Sequence, residues 1–162
     1  MKLVLSIIVL FGFGFLGFGI RKVLQDRVVF FSELKRFVDQ FAINISFLQD
    51  NLYEYIGQFN SSSAEFSSIL KEFTSCKRDL NLIVDSPKTK FTTIKAEECQ
   101  MVWLFLNGIG KMDADSELSK LKAFDIKVQE KLEEAKLISS KYATLTVKLS
   151  VLLGALVVLI LI

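Results

Sequence analysis

Residues 31–59 read FSELKRFVDQFAINISFLQDNLYEYIGQF. Within them Phe31, Leu34, Val38, Phe41, Ile45, Leu48, Leu52, Tyr55 and Phe59 follow one another in alternating steps of three and four. A half-buried strand would alternate in steps of two, so this spacing is helical, with the 3.5-residue repeat of closely packed helices. Taken alone, the stripe fits an intermolecular coiled coil, and so a homo-oligomer. In a domain this small it more naturally faces the core of a bundle, because amphipathic stripes usually do.

Toward the C-terminus the same period continues between breaks. Asn60, Ser61, Ser62 and Ser63 interrupt it. Ser62 and Glu65 have the spacing of a capping box, which predicts a helix starting there. Phe66, Ile69, Leu70, Phe73, Leu80 and Ile83 form its inner face. Pro87, the one proline in the chain, ends it after Asp85 and Ser86, since proline lacks an amide and disfavours a helical residue before it. A loop runs to about Thr92. The next helix opens with Glu97 and Glu98 near its positive end and buries Ile94, Val102, Trp103, Phe105 and Leu106. Trp103 is expected in the core, where its large apolar area is best used. Gly108 is expected to end this helix in the left-handed conformation that helix C-termini often need, with Gly110 following. Asp113 is placed to cap the last helix. That helix carries Leu118, Leu121, Phe124, Val128, Leu132, Ala135, Ile138, Tyr142 and Leu145 on its inner face. No breaker follows, so it is expected to run on without interruption into the apolar residues beyond.

The two ends of the chain differ from its middle. Residues 3–20 read LVLSIIVLFGFGFLGFGI without a charge. Eighteen helical residues reach about 27 Å, enough to cross a bilayer core. No two glycines in it stand four apart, so it holds no GxxxG motif. Residues 149–162 read LSVLLGALVVLILI. Extended back to Tyr142, the segment reaches about 31 Å with Lys148 as its one charge, and lysine near a helix end can snorkel to the headgroups. Thr146, Ser150 and Gly154 recur every fourth residue, a small-residue stripe on which another membrane helix, most simply the first, can pack. These features predict an N-terminal membrane helix at residues 1–20, a helical domain at 21–147 and a C-terminal membrane segment at 148–162.

Arg21, Lys22, Arg27, Lys35 and Arg36 follow the first apolar segment, and Lys131, Lys136, Lys141 and Lys148 precede or enter the second. Only Lys2 lies on the other side. The positive-inside rule then turns the middle domain to the cytoplasm and both termini outward. The same charge order speaks against a cleaved signal peptide, for which Gly17, Phe18 and Gly19 would be a weak site. Cys76 and Cys99 are expected as buried free thiols in a reducing compartment. The sequons at Asn44 and Asn60 are then chance matches.

Histidine is absent. That removes the common general base, most nucleophile–base pairs and most zinc sites. Glu97 with Glu98, or Asp113 with Asp115, is the nearest approach to a metal pair, and adjacent carboxylates at helix starts usually serve the helix. No phosphate-binding glycine loop occurs. The sequence therefore predicts no catalytic residue, metal or cofactor. A net charge of +2 does not point to nucleic acid.

With this order of elements the chain resembles the stage III sporulation protein AB family of endospore-forming bacteria over its whole length. The most specific local likeness is Leu106, Asn107, Gly108, Ile109, Gly110, Lys111, Met112 and Asp113, where a glycine-ended helix and a second glycine precede the aspartate that starts the last helix. Residues Ile45 to Ile56 resemble the family's junction between its first two helices, with Asn51 where many members have proline; this implies a break near residues 49–51. The resemblance implies an all-α, compact bundle of about six helices between two transmembrane helices, similar to the cytoplasmic domains of the type II secretion platform protein. It implies a non-enzymatic platform in the mother-cell membrane around the forespore, part of the channel linking the two cells. The implied partners are a cytoplasmic secretion-type ATPase, stage III sporulation protein AA, and other channel components. The polar face near Lys71, Lys77, Arg78, Lys88 and Lys90 is the candidate contact surface, although solvated lysines alone would look the same. A membrane-anchored sensor is the rival plan, but a sensor needs an output beyond its second span and the sequence stops at Ile162. A coiled-coil scaffold unrelated to sporulation is the other.

Overall fold

The computed structural model describes residues 2–47, 52–78, 91–109 and 114–161. Five helices account for nearly all of them: α1 (Lys2–Phe47), α2 (Leu52–Gln58), α3 (Ala64–Arg78), α4 (Ala96–Gly108) and α5 (Ala114–Leu161). No strand occurs among the described residues. The resemblance implies about six helices between two transmembrane helices; the described residues form five. The C-terminal apolar segment continues the last helix, as the lack of a breaker predicts, and the N-terminal one likewise runs on through the stripe that begins at Phe31, so that α1 and α5 extend 46 and 48 residues without a break. Neither helix contains proline, so nothing in its backbone forces a stop. The expected break near residues 49–51 lies outside the described residues.

The chain divides into two compact units. Val29–Leu132 form one; residues up to Val28 together with those from Glu133 onward form the other.

The first unit is built on phenylalanine. Phe31, Leu34, Val38, Phe41, Ile45 and Tyr55 are all buried, so the founding stripe faces an intramolecular core rather than a second chain. Phe30 and Phe37 are fully buried as well, although they lie off that stripe. Phe37 touches the rings of Phe41, Tyr55, Phe59 and Phe66, at centroid distances between 5.1 and 6.0 Å. Most of these pairs are edge-to-face or tilted, the arrangement that the ring quadrupole favours. One side chain thus ties α1 to α2 and α3. Farther along, Phe73 of α3 meets Trp103 of α4 edge-on at 5.6 Å. Phe105 is only half-buried; it stacks flat on Phe124 of α5 at 3.6 Å. Lys35 bridges Asp39 on its own helix and Asp125 on α5, at 2.7 and 2.8 Å.

The helix starts differ in detail from the sequence expectation. The Ser63 hydroxyl, not that of Ser62, accepts the Phe66 amide at 3.3 Å and caps α3. Glu65 is freed from the predicted box. Its carboxylate instead accepts the amides of Thr92 and Thr93, at 3.2 and 3.3 Å, and so fixes the approach to α4. At α4 the Glu98 carboxylate turns back onto the Lys95 amide at 3.0 Å. Glu98 is buried and Glu97 exposed, so the two carboxylates do not face a common point. Gly108 is the last helical residue and does not take the left-handed conformation; the chain leaves through Ile109 in extended form. Gly110 and Asp113 lie outside the described residues, as do Leu80, Ile83, Lys88 and Lys90.

Cys99 is a buried free thiol. Burial, helped by the charges of Glu72 and Glu65, pushes its pKa up to about 11, so it stays protonated and unreactive at neutral pH.

Candidate functional site

Two places hold side chains whose arrangement exceeds what a simple core needs. The first is the pair formed by the outer parts of α1 and α5. A Cβ added at Gly17 would stand 2.9 Å from the Ser150 hydroxyl and 3.2 Å from the Val147 Cα. One added at Gly154 would stand 3.1 Å from the Phe13 Cβ. A side chain at Gly17 would collide unless Ser150 moved, and one at Gly154 would need Phe13 to give by a few tenths of an ångström, so glycine at both positions suits this close approach of the backbones. Of the stripe expected on α5, Ser150 and Gly154 meet α1 at these contacts. The Thr146 hydroxyl donates to the Tyr142 carbonyl at 2.7 Å, within its own helix.

The buried line on α5 passes through Ala135, Ala143 and Gly154. Tyr142 and Leu145, expected on the inner face, are instead 45% and 46% exposed. The reason is a change of period. From Leu121 to Leu132 the helix follows the heptad seam, but small residues four apart let the backbones come closer and move the seam by one residue.

Away from that line both helices present apolar side chains. Phe11, Phe15, Leu16 and Phe18 are exposed on α1, and Leu149, Leu152, Leu156 and Leu159 on α5. In water these surfaces would drive aggregation, since exposed apolar patches of this extent mark interaction or membrane surfaces. α5 is long and apolar enough to cross a membrane.

The second place is a polar clasp on the first unit. The Arg36 guanidinium donates to the Glu33 carboxylate at 2.6 Å and to the Asn60 carbonyl at 2.6 Å, while lying 4.7 Å from the centre of the Phe59 ring. The Glu33 carboxylate also accepts the Ser62 amide at 3.1 Å. Together the two side chains hold the turn between α2 and α3 against α1. Beside the clasp lies an open groove of about 530 Å³ lined by Arg36, Gln40, Asn44, Tyr55 and Phe59 among others. The Tyr55 hydroxyl sits 3.4 Å from the Phe37 carbonyl and from Gln40, and burial pushes its pKa up to about 12. Among the described residues that line the groove, none offers a base or nucleophile poised at neutral pH. Among the described residues no three His, Cys, Asp or Glu side chains come together.

Glu33 makes the clasp pH-sensitive. Burial pushes its carboxyl up, but the Arg36 and Ser62 hydrogen bonds and the Arg36 charge outweigh this, and the pKa ends below the usual 4.5. A depressed carboxyl stabilises the fold above its unfolded pKa, and the stabilisation is lost as pH falls through the lower folded value. Urea denaturation of the full chain in detergent should therefore show Glu33→Gln less stable than the parent at pH 7, by about 1 kcal/mol given the partial exposure of Arg36. The gap should narrow as pH drops below about 4.5. A gap that stays constant from pH 7 to 3 would show that the charge of Glu33 contributes nothing.

No sequence pattern marks Phe13, Glu33 or the tether role of Glu65. Gly17 stands in the sequence as one of four glycines in a Phe–Gly run and as part of a weak cleavage site, not as a packing residue. Its partner lies more than 130 residues away, and no local motif joins them.

The family model for stage III sporulation protein AB matches residues 2–162. The chain belongs to this family. Comparison with curated proteins and with solved structures gives no match. Membership assigns the protein to sporulation, in a family of sporulation-complex components. The match runs through both apolar segments as well as the bundle.

Proposed function

We propose that this sporulation protein is a non-enzymatic membrane platform of the channel complex between mother cell and forespore. In this reading α1 and α5 both cross the mother-cell membrane around the forespore. The Val29–Leu132 unit stands in the cytoplasm and recruits a secretion-type ATPase of the stage III sporulation protein AA kind, with other channel proteins. The observation that carries the reading is the close, glycine-dependent α1–α5 pair with apolar side chains facing outward on both helices. An amphipathic soluble bundle would turn those faces inward, whereas a lipid-bathed pair associates through small residues. The apolar runs of α1 and α5 lie side by side in this pair, which favours two spans over one. Arg21, Lys22 and Arg27 against Lys2 alone favour a cytoplasmic bundle by the positive-inside rule.

Lys71 is exposed on α3 and belongs to the basic surface proposed to meet the ATPase. Fusion of a reporter active only outside the cytoplasm at residue 90 is expected to be silent, and a cytoplasmic fluorescent reporter there to be bright. Full-length protein in detergent is expected to retain the ATPase in a pull-down. Retention no greater than that of an unrelated membrane protein would remove the recruitment role, and an extracytoplasmic signal at residue 90 would reverse the topology.

A further inference from the structure

The contacts between α1 and α5 set a register. Gly17 faces Ser150 and Phe13 faces Gly154, so the helices run antiparallel and a step of four along one matches a step of four along the other. Continued by the same count, Lys148 lies level with Gly19, Arg21 with Thr146, and Lys141 with Asp26. All the charge near the inner end of the apolar pair therefore falls within a narrow band. Residues 19–28 and 139–150 hold five cations, Arg21, Lys22, Arg27, Lys141 and Lys148, against the single acid Asp26.

On α5 this charge is not spread evenly around the helix. Lys141, Leu145, Lys148, Leu152, Leu156 and Leu159 follow in steps of four and three, so they share one face. All six are exposed, and the opposite side of the helix is where Ala143 and Gly154 are buried. α5 carries no acidic side chain from residue 139 to residue 161. The face is thus cationic at one end and leucine-lined at the other. Lys148 to Leu159 spans about 16 Å, roughly one acyl chain. Helical side chains lean toward the N-terminus of their helix, so Lys148 points toward Lys141 and away from the leucines. Tyr142 beside them is half-exposed, with the Lys141 ammonium 5.4 Å from its ring, an amphipathic group suited to the headgroup level.

We propose that this outward face of α5 is a seat for an anionic phospholipid. Lys148 and Lys141 hold the headgroup phosphate, and an acyl chain lies along Leu152, Leu156 and Leu159. Charge complementarity selects the occupant: an amphiphile with an anionic head matches both halves of the face, whereas a free phosphate leaves the leucines uncovered and a neutral lipid leaves the lysines unmatched. The proposal rests on the membrane reading above and names the lipid that the anchored protein selects.

The test uses the full chain reconstituted into vesicles of equal phosphatidylglycerol and phosphatidylcholine. Alkaline carbonate extraction is done first, and expected to leave the protein in the membrane. Protein released into mild detergent is then examined by native mass spectrometry for retained lipid. Phosphatidylglycerol is expected in excess over phosphatidylcholine on the order of tenfold, since each lysine near an anionic surface contributes a factor of about five. The excess should shrink when the salt is raised to 0.5 M during release. Lys141→Gln with Lys148→Gln should bring the two lipids to parity, while Lys122→Gln, at an exposed position on α5 outside the face, should leave the excess intact. Equal retention of the two lipids by the parent, or an undiminished excess in the double variant, overturns the lipid seat while the membrane reading stands. Release by carbonate overturns both.

Discussion

Gly17→Leu is expected to part the α1–α5 pair. Even a single added carbon would come within 2.9 Å of the Ser150 hydroxyl and 3.2 Å of the Val147 Cα. The first neighbour is a small side chain that can rotate or be shortened, but the second is backbone and cannot give way without moving the helix. Leucine adds three more carbons beyond that point. Overpacking of this kind costs about 1–3 kcal/mol where the surroundings can adjust, and a backbone contact puts it at the upper end or beyond. Pair formation can be read by the yield of bis-maleimide crosslinking between Phe18→Cys and Leu149→Cys, exposed positions level with each other across the pair, in a background with Cys76 and Cys99 changed to alanine. Yield should fall severalfold or more with Gly17→Leu. Gly17→Ala should have a smaller effect, and adding Ser150→Gly should restore part of it by removing the nearest atoms. The same addition should not rescue Gly17→Leu, because Val147 remains. Unchanged yield in Gly17→Leu would mean that the close approach does not hold the pair together.

The grading between alanine and leucine also separates two meanings of the Phe–Gly run. Gly12, Gly14 and Gly19 have nothing within 4 Å of an added Cβ, so they admit larger residues without collision. Only Gly17 in this run is fixed by a neighbour. The sequence showed four glycines of equal standing, because the property that distinguishes one of them is a contact between distant parts of the chain.

That is the general pattern of what was legible here. Helical period is local, so the helical class, the buried stripe residues Phe31, Leu34, Val38, Phe41, Ile45 and Tyr55, and the buried residues Phe66, Ile69, Leu70, Phe73, Val102, Trp103 and Leu106 follow from spacing alone. Cap assignment was legible only to within one residue. Ser62 and Ser63 are chemically equal, and which one caps depends on Glu33 drawing the Ser62 amide toward α1. The seam on α5 was readable as far as Ala135. Past that point heptad spacing pointed to Tyr142 and Leu145, while size decided for Ala143, because close helix approach rewards small residues over apolar ones. The clasp was not legible at all. Glu33 and Arg36 look like an ordinary surface pair three apart on a helix, and their second partners, the Ser62 amide and the Asn60 carbonyl, are backbone groups that no sequence pattern marks.

Phe37 shows the same limit inside the core and carries the largest stability effect expected in the bundle. A heptad stripe takes one seam of a helix, and Phe37 lies beside that seam. It is nevertheless fully buried, because α1 is covered from two sides, by Tyr55 of α2 with Phe59 just beyond it and by Phe66 of α3. Removing its ring strips contacts from four aromatic neighbours at once, and Phe59 and Phe66, which meet it edge-to-face, lose that geometry. Large-to-small substitution of a buried phenylalanine costs about 3–5 kcal/mol, and poor collapse of the site places Phe37→Ala toward the top of that range. This approaches the whole stability of a typical domain. Urea denaturation of the full chain in detergent, followed by Trp103 fluorescence, should show the midpoint collapse or the transition vanish. Phe37→Leu, which keeps most of the volume, should lose roughly half as much. Leu104→Ala, at a site 60% exposed on α4, should stay within about 0.5 kcal/mol of the parent. Equal losses in Phe37→Ala and Leu104→Ala would remove Phe37 from the centre of the core and with it the joint between α1, α2 and α3.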